Sequence, residues 1–147
     1  MKPGGRIMGK GDHDEALEAF GRYLMQDPDY PDARSFLYAR MEPGAIAECI
    51  YKDLGNHILF RWPKNSDLSF ALLDYWEAQP GPERWAELEY VLRDGRFDVA
   101  YIYPDQIDPD EELFVRSQRA LRRHFGDKPI GYPSLDDEND DSVRFDP

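Results

Sequence analysis

Ser35-Phe36-Leu37-Tyr38-Ala39-Arg40-Met41, then Pro43-Gly44, then Ile46 to Lys52, then Leu54-Gly55-Asn56, then His57-Ile58-Leu59-Phe60-Arg61-Trp62: these residues set the architecture of the chain. Three runs rich in β-branched and aromatic residues are cut by two turn signals, and Pro-Gly is a favoured pair for the centre of a type II turn. A three-stranded antiparallel meander fits. The rival reading makes Ala33 to Met41 and Ala45 to Leu54 helices, with Pro43 at a helix start and Gly55 at a helix end.

Upstream of the meander, Asp12 and Glu15 have the spacing of a capping box. Ala16, Leu17, Phe20, Tyr23 and Leu24 follow as one apolar face of a helix expected over 14–26. Asp27-Pro28-Asp29-Tyr30-Pro31-Asp32 ends it, because proline cannot continue the hydrogen-bond ladder and restricts the residue before it. Gly11-Asp12, Glu15-Ala16-Leu17, Phe20, Leu24, Asp27-Pro28 and Asp32-Ala33 together resemble one unit of a tetratricopeptide repeat. The resemblance implies the second helix of a repeat and the start of the next one. It covers residues 11–33 only, and nothing after Arg34 repeats it at the expected period.

Downstream, Ser66 or Asp67 caps a helix in which Leu68, Ala71, Leu72, Tyr75 and Trp76 recur at helical spacing. Gln79-Pro80-Gly81-Pro82 breaks it. Pro82 is read as opening a second helix to Arg93, with Trp85, Leu88, Val91 and Leu92 inward and Gly95 past its end, so that the two form a helical hairpin. Phe97 to Tyr103 is apolar on both faces apart from Asp98 and reads as a central strand stopped by Pro104. Asp108 as cap, Pro109 at the first position and Glu111 closing the box predict a last helix ending before Gly126. Phe114, Leu121 and Phe125 are its expected inward residues, and Lys128 to Tyr132 is a short final strand.

These elements predict a single α+β domain over 12–133, with helices packed on a small antiparallel or mixed sheet. A flexible lead-in (1–11) and a mobile acidic tail (134–147) flank it. The expected core is Phe20, Leu24, Ile58, Phe60, Leu72, Trp76, Leu88, Leu92, Val99, Tyr101, Ile102, Leu121 and Phe125.

Charge narrows the partners. Thirty acids against 18 bases give a formal charge of −12 over 147 residues. Six of those acids (Asp136, Asp137, Glu138, Asp140, Asp141, Asp146) and Arg144 lie in the tail, and removing them leaves 24 acids and 17 bases, a net of −7. Such a surface repels phosphate backbones and anionic lipid, so neither nucleic acid nor membrane is expected as a partner, while a basic protein is favoured. One cysteine, Cys49, permits no internal disulfide, and no signal-peptide or membrane-span run is present, which predicts a cytoplasmic protein.

No catalytic, cofactor or metal set is expected. His13, His57 and His124 lack the four-residue spacing that places two imidazoles on one helix face. Cys49 and His57 are candidates to meet across the meander, with Glu48 as a nearby carboxylate, which is the minimum for a thiol nucleophile. The more economical reading of Cys49 is a small core residue. The acids from Asp105 to Glu112 have no glycine where a calcium loop needs one. Arg116, Arg119 and Arg123 share a helix face, which would suit an anion or an acidic partner, but they are read mostly as solvated or paired with local acids.

The leading expectation is a non-enzymatic, protein-binding role, most concretely a bacterial immunity-type protein that neutralises a cationic toxin. Tyr101, Tyr103, Asp105, Asp108, Asp110, Glu111 and the tail are its candidate contact residues. Two alternatives stay open: a small hydrolase or transferase using His57, Cys49 or a cleft carboxylate, and a scaffold with a degenerate tetratricopeptide-like unit.

Overall fold

Alternating apolar residues between two turns produce the meander. In the computed structural model, which describes residues 10–133 and 143–145, β1 (Arg34–Glu42), β2 (Ala45–Asp53) and β3 (Ile58–Arg61) pair antiparallel in sequence order. The helical alternative for 33–54 is thereby excluded. Phe36, Tyr38, Cys49, Tyr51, Ile58 and Phe60 point to one face, while Leu37, Ala39, Met41 and Ile50 point to the other. Both faces are covered, so the strands read as nearly continuous apolar runs.

Helices α1 (Lys10–Leu24) and α2 (Asp67–Glu77) cover the second face. Leu17, Phe20 and Leu24 of α1 are buried against the sheet and α2, together with Leu68, Leu72, Tyr75 and Trp76. That face of α1 is therefore not available to a stacked repeat. Because α1 starts at Lys10, Asp12 lies inside the helix instead of capping it. Gly21 lets α1 approach the sheet: a Cβ there would lie 3.0 Å from the Tyr90 hydroxyl, which donates to the Leu17 carbonyl. Ser66 stands at the N-cap position of α2, but the Asp67 amide is accepted by the Asn65 side chain.

The expected helix from Pro82 to Arg93 is not formed. A 3-10 turn at Gly81–Glu83 leads into strand β4 (Glu87–Arg93), which pairs antiparallel with β1. A two-residue turn then connects β4 to β5 (Arg96–Ile102). Asp94 has φ 51° and Gly95 φ 76°, the two positive values a type I′ hairpin turn requires. Good helix formers are overridden because a strand lets Leu88, Tyr90 and Leu92 enter the α1/α2 side while Glu87, Glu89 and Val91 turn to the opposite side.

The sheet order is β5-β4-β1-β2-β3-β6-β7. Strand β5 is thus an edge strand, not the central one expected, and Val99, Tyr101 and Ile102 are half-buried instead of core. The other ten expected core residues are buried.

Helix α3 (Leu113–Phe125) covers the face opposite α1 and α2 through Ala120, Leu121 and Phe125, whereas Phe114 is exposed. Glu112, not Asp108, occupies its N-cap position. The Asp108 carboxylate instead accepts the Asp110 amide two residues on, closing an Asx turn ahead of the helix. Gly126 ends α3 as read from the sequence. Strand β6 (Ile130–Pro133) pairs parallel with β3, making the sheet mixed. Of the acidic C-terminal segment, Val143–Phe145 pairs with β6 as β7, and the rest lies outside the described residues, as do residues 1–9. No helix among the described residues is long and apolar enough to cross a membrane.

Candidate functional site

The segment after β5 carries the candidate contact residues. Tyr103 is exposed, and a 3-10 turn at Pro104–Gln106 is tied back to it by the Gln106 side chain, which accepts the Tyr103 amide. Asp105, Asp108 and Asp110 follow as exposed acids. Among the described residues none of the three forms an ion pair, so their charge faces solvent. Glu111 differs, because its carboxylate accepts both terminal nitrogens of Arg119, which hold it below the ordinary carboxylate range. Tyr101 differs too: its hydroxyl shares a hydrogen bond with Tyr75 at 2.6 Å, and its ring packs 5.5 Å from Trp85. The exposed set is therefore Tyr103, Asp105, Asp108 and Asp110, with Glu111 behind it and Tyr101 built into the domain.

Elsewhere on the domain several cations are engaged with acids. Arg34 and Lys128 meet Asp53, Arg61 meets Asp27 and Asp29, Arg119 meets Glu111, and Arg122 meets Asp127. Each pairing neutralises one acid along with one cation, so the surplus negative charge sits on the acids left unpaired. The exposed acids after β5 keep their field.

Between the sheet and α3 lies a polar layer that the sequence does not announce. Glu87 is fully buried and accepts hydrogen bonds from the Tyr38 hydroxyl and from Nε and Nη2 of Arg116, the first guanidinium bond at 3.0 Å. Arg116, read from the sequence as solvated or paired locally, is itself buried and also donates to the Glu111 carbonyl. Two residues along β4, Glu89 accepts Arg123 and His124, each at 3.1 Å. Burial, followed by the neighbouring Glu87 carboxylate, pushes the Tyr38 phenol well above its ordinary value. Tyr38 is a fixed donor here, and the layer pins α3 to β1 and β4.

Cys49 and His57 do not meet. The Leu54 amide bonds to the His57 carbonyl across the β2–β3 turn, and Cys49 lies five residues further along β2, roughly 16 Å at the usual rise per residue. Burial pushes the Cys49 thiol up, away from the thiolate a nucleophile needs. Its neighbour Glu48 points to the other face, where it accepts the Ser69 hydroxyl at 2.6 Å. His57 instead contacts the Asn56 side chain at 2.7 Å. Cys49 is a core residue.

A cleft of about 230 Å³ opens where the end of α1, strand β2 and the segment after β3 converge. Lys52 lines it, as do Asp27 and Arg61, with Trp62 and Lys64 also contributing. None of these was singled out from the sequence, because a lysine near the end of a strand reads as solvated. The one available signal was a period-two pattern that puts Lys52 on the same side as Ile50.

Compared with known proteins, the chain matches no family model and no curated protein, so its function has to be read from these residues.

Proposed function

We propose that the chain is a non-enzymatic protein-binding module, in its most concrete form a bacterial immunity-type protein that neutralises a cationic toxin in the cytoplasm. One observation carries the reading: Tyr103, Asp105, Asp108 and Asp110 form an exposed aromatic and acidic segment on a domain whose arginines and Lys128 are largely engaged in ion pairs. An uncompensated acidic patch accelerates encounter with a basic surface, and a flanking tyrosine supplies rigid contact area beside it. The strong negative charge of the whole chain adds to the steering.

The test is titration of the purified protein against basic proteins encoded beside its gene, followed by biolayer interferometry at low and at physiological salt. A complex whose association rate falls as salt rises is expected. The variant D105N/D108N/D110N should slow association by about tenfold or more while leaving the fold intact. If no basic protein binds even at low salt, the proposal fails.

A further inference from the structure

The cleft beside α1 holds a charge without a counter-ion. Lys52 is 1% exposed, and its ammonium donates to the Leu24 carbonyl at 2.7 Å and to the Ser35 hydroxyl at 2.8 Å. An ammonium has three donors and a full positive charge, and both of these acceptors are neutral. Among the described residues no carboxylate lies within ion-pair distance of Lys52. Asp27 is the acid whose field reaches it, but that carboxylate is already held by Arg61 through two hydrogen bonds of 2.7 and 2.9 Å. Burial lowers Lys52 to about 8, with Asp27 only partly restoring it, so the group is still charged at neutral pH. A buried charge is costly unless something pairs with it.

The rest of the cleft is mainly apolar. Tyr23, Ile50, Leu68 and Trp62 form its walls, Trp62 being 56% exposed. We infer that this cleft binds a single carboxylate carried on a short apolar stem, with the carboxylate meeting Lys52 and the stem lying against Tyr23, Ile50, Leu68 and Trp62. Size supports this, since pockets for drug-sized ligands run to roughly 300–1,000 Å³ and this one fits only a short chain or one residue. Charge supports it as well: Lys52, Arg61 and Lys64 line the cleft against the one lining carboxylate, Asp27, an excess of positive charge that suits a small anion. The carboxylate has two sources, a free small acid or the C-terminal residue of another chain. This site is independent of the acidic segment after β5, none of whose residues lines the cleft.

Five probes separate the outcomes in two-dimensional NMR titrations of the full chain: hexanoate, hexanamide, inorganic phosphate, a short peptide ending in leucine with a free C-terminus, and the same peptide amidated. Saturable shifts at the amides of Tyr23, Lys52 and Trp62 are expected with hexanoate or the free-acid peptide, and not with either amide. Hexanoate binding at least as tightly as the peptide marks a free acid as the ligand; a tighter peptide marks a chain terminus. Lys52→Met should weaken binding by about tenfold or more, as expected for a lost charge-assisted contact. Trp62→Ala, at an exposed position, should weaken it severalfold and serves as the reporter if Lys52→Met does not fold. The inference is overturned if neither acid saturates by about 10 mM, if the amides bind as well as the acids, if phosphate competes equally, or if a folded Lys52→Met binds as before.

Discussion

On the α3 side of the sheet two glutamates are buried, Glu87 and Glu89, and each is met by an arginine from α3. On the α1/α2 side one lysine is buried, Lys52, and it is met by a carbonyl and a hydroxyl. The difference separates two uses of a buried charge. A carboxylate clamped by Arg116 and Tyr38 fixes the position of a helix, because neither partner is stable without the other. A cation whose partners are neutral fixes little and retains an attraction for an anion from outside.

The largest effect is expected at Arg116. Arg116→Ala leaves Glu87 buried beside Tyr38 alone and should cost about 3–5 kcal/mol in urea unfolding. Replacing the whole set, as Tyr38→Phe/Glu87→Leu/Arg116→Met, should recover most of that loss. A triple variant as unstable as Arg116→Ala would show that packing, not charge, holds α3 in place.

Lys52 should behave oppositely, and pH separates it from the glutamates. Its folded value of about 8 lies below the ordinary 10.5, so above pH 8 the unfolded chain retains a proton that the folded chain has released. Stability must then rise with pH, by about 2 kcal/mol between pH 7 and 9.5. Above pH 10 the trend reverses, because burial raises Tyr38, Tyr51, Tyr75 and Tyr90 and the unfolded state ionises first. Lys52→Met should abolish the alkaline rise in urea midpoints; persistence of the rise would assign it to another group.

Strand β4 supplies residues to both faces, so its turn tests them together. Gly95→Ala places a Cβ at φ 76° and should cost roughly 1 kcal/mol in thermal unfolding without altering the pH profile. The smallest effect is expected at the surface. D105N/D108N/D110N should stay within about 0.5 kcal/mol of the parent in the same assay, while losing association rate with a basic partner. A large loss of stability there would mean that these acids serve the fold.

Much of this architecture is legible in the chain, and the failures have particular causes. Pro43-Gly44 and Leu54-Gly55-Asn56 mark the meander because the turns between β1, β2 and β3 are local. Leu68, Leu72, Tyr75 and Trp76 mark α2 because one face is buried and the other is wet. Residues 87–93 mislead because both faces are buried, and Glu87 and Glu89 look like the polar side of a helix until Arg116 and Arg123 are brought to them from α3. The Asp94-Gly95 pair is the better signal, since Asp-Gly suits a two-residue hairpin turn while Gly95 by itself suits a helix end. Of the candidate contact residues, Asp105, Asp108 and Asp110 are exposed, as their acidic side chains lead one to expect. Lys52 was hidden because its burial depends on Leu24, in another element of the fold.

The strand order has a kinetic consequence. Strands β1, β2 and β3 lie within residues 34–61 and pair as neighbours, and β4 with β5 closes through two residues, so both units can form early at small loop-closure cost. Joining β4 to β1, and above all β6 to β3 across the whole of α2, β4, β5 and α3, requires long loops and comes later. Pulsed hydrogen exchange should protect the β1–β3 amides before those of β6. Until that late step the β3 edge stays open to other chains, which makes the nascent protein more prone to misassociation than the finished one.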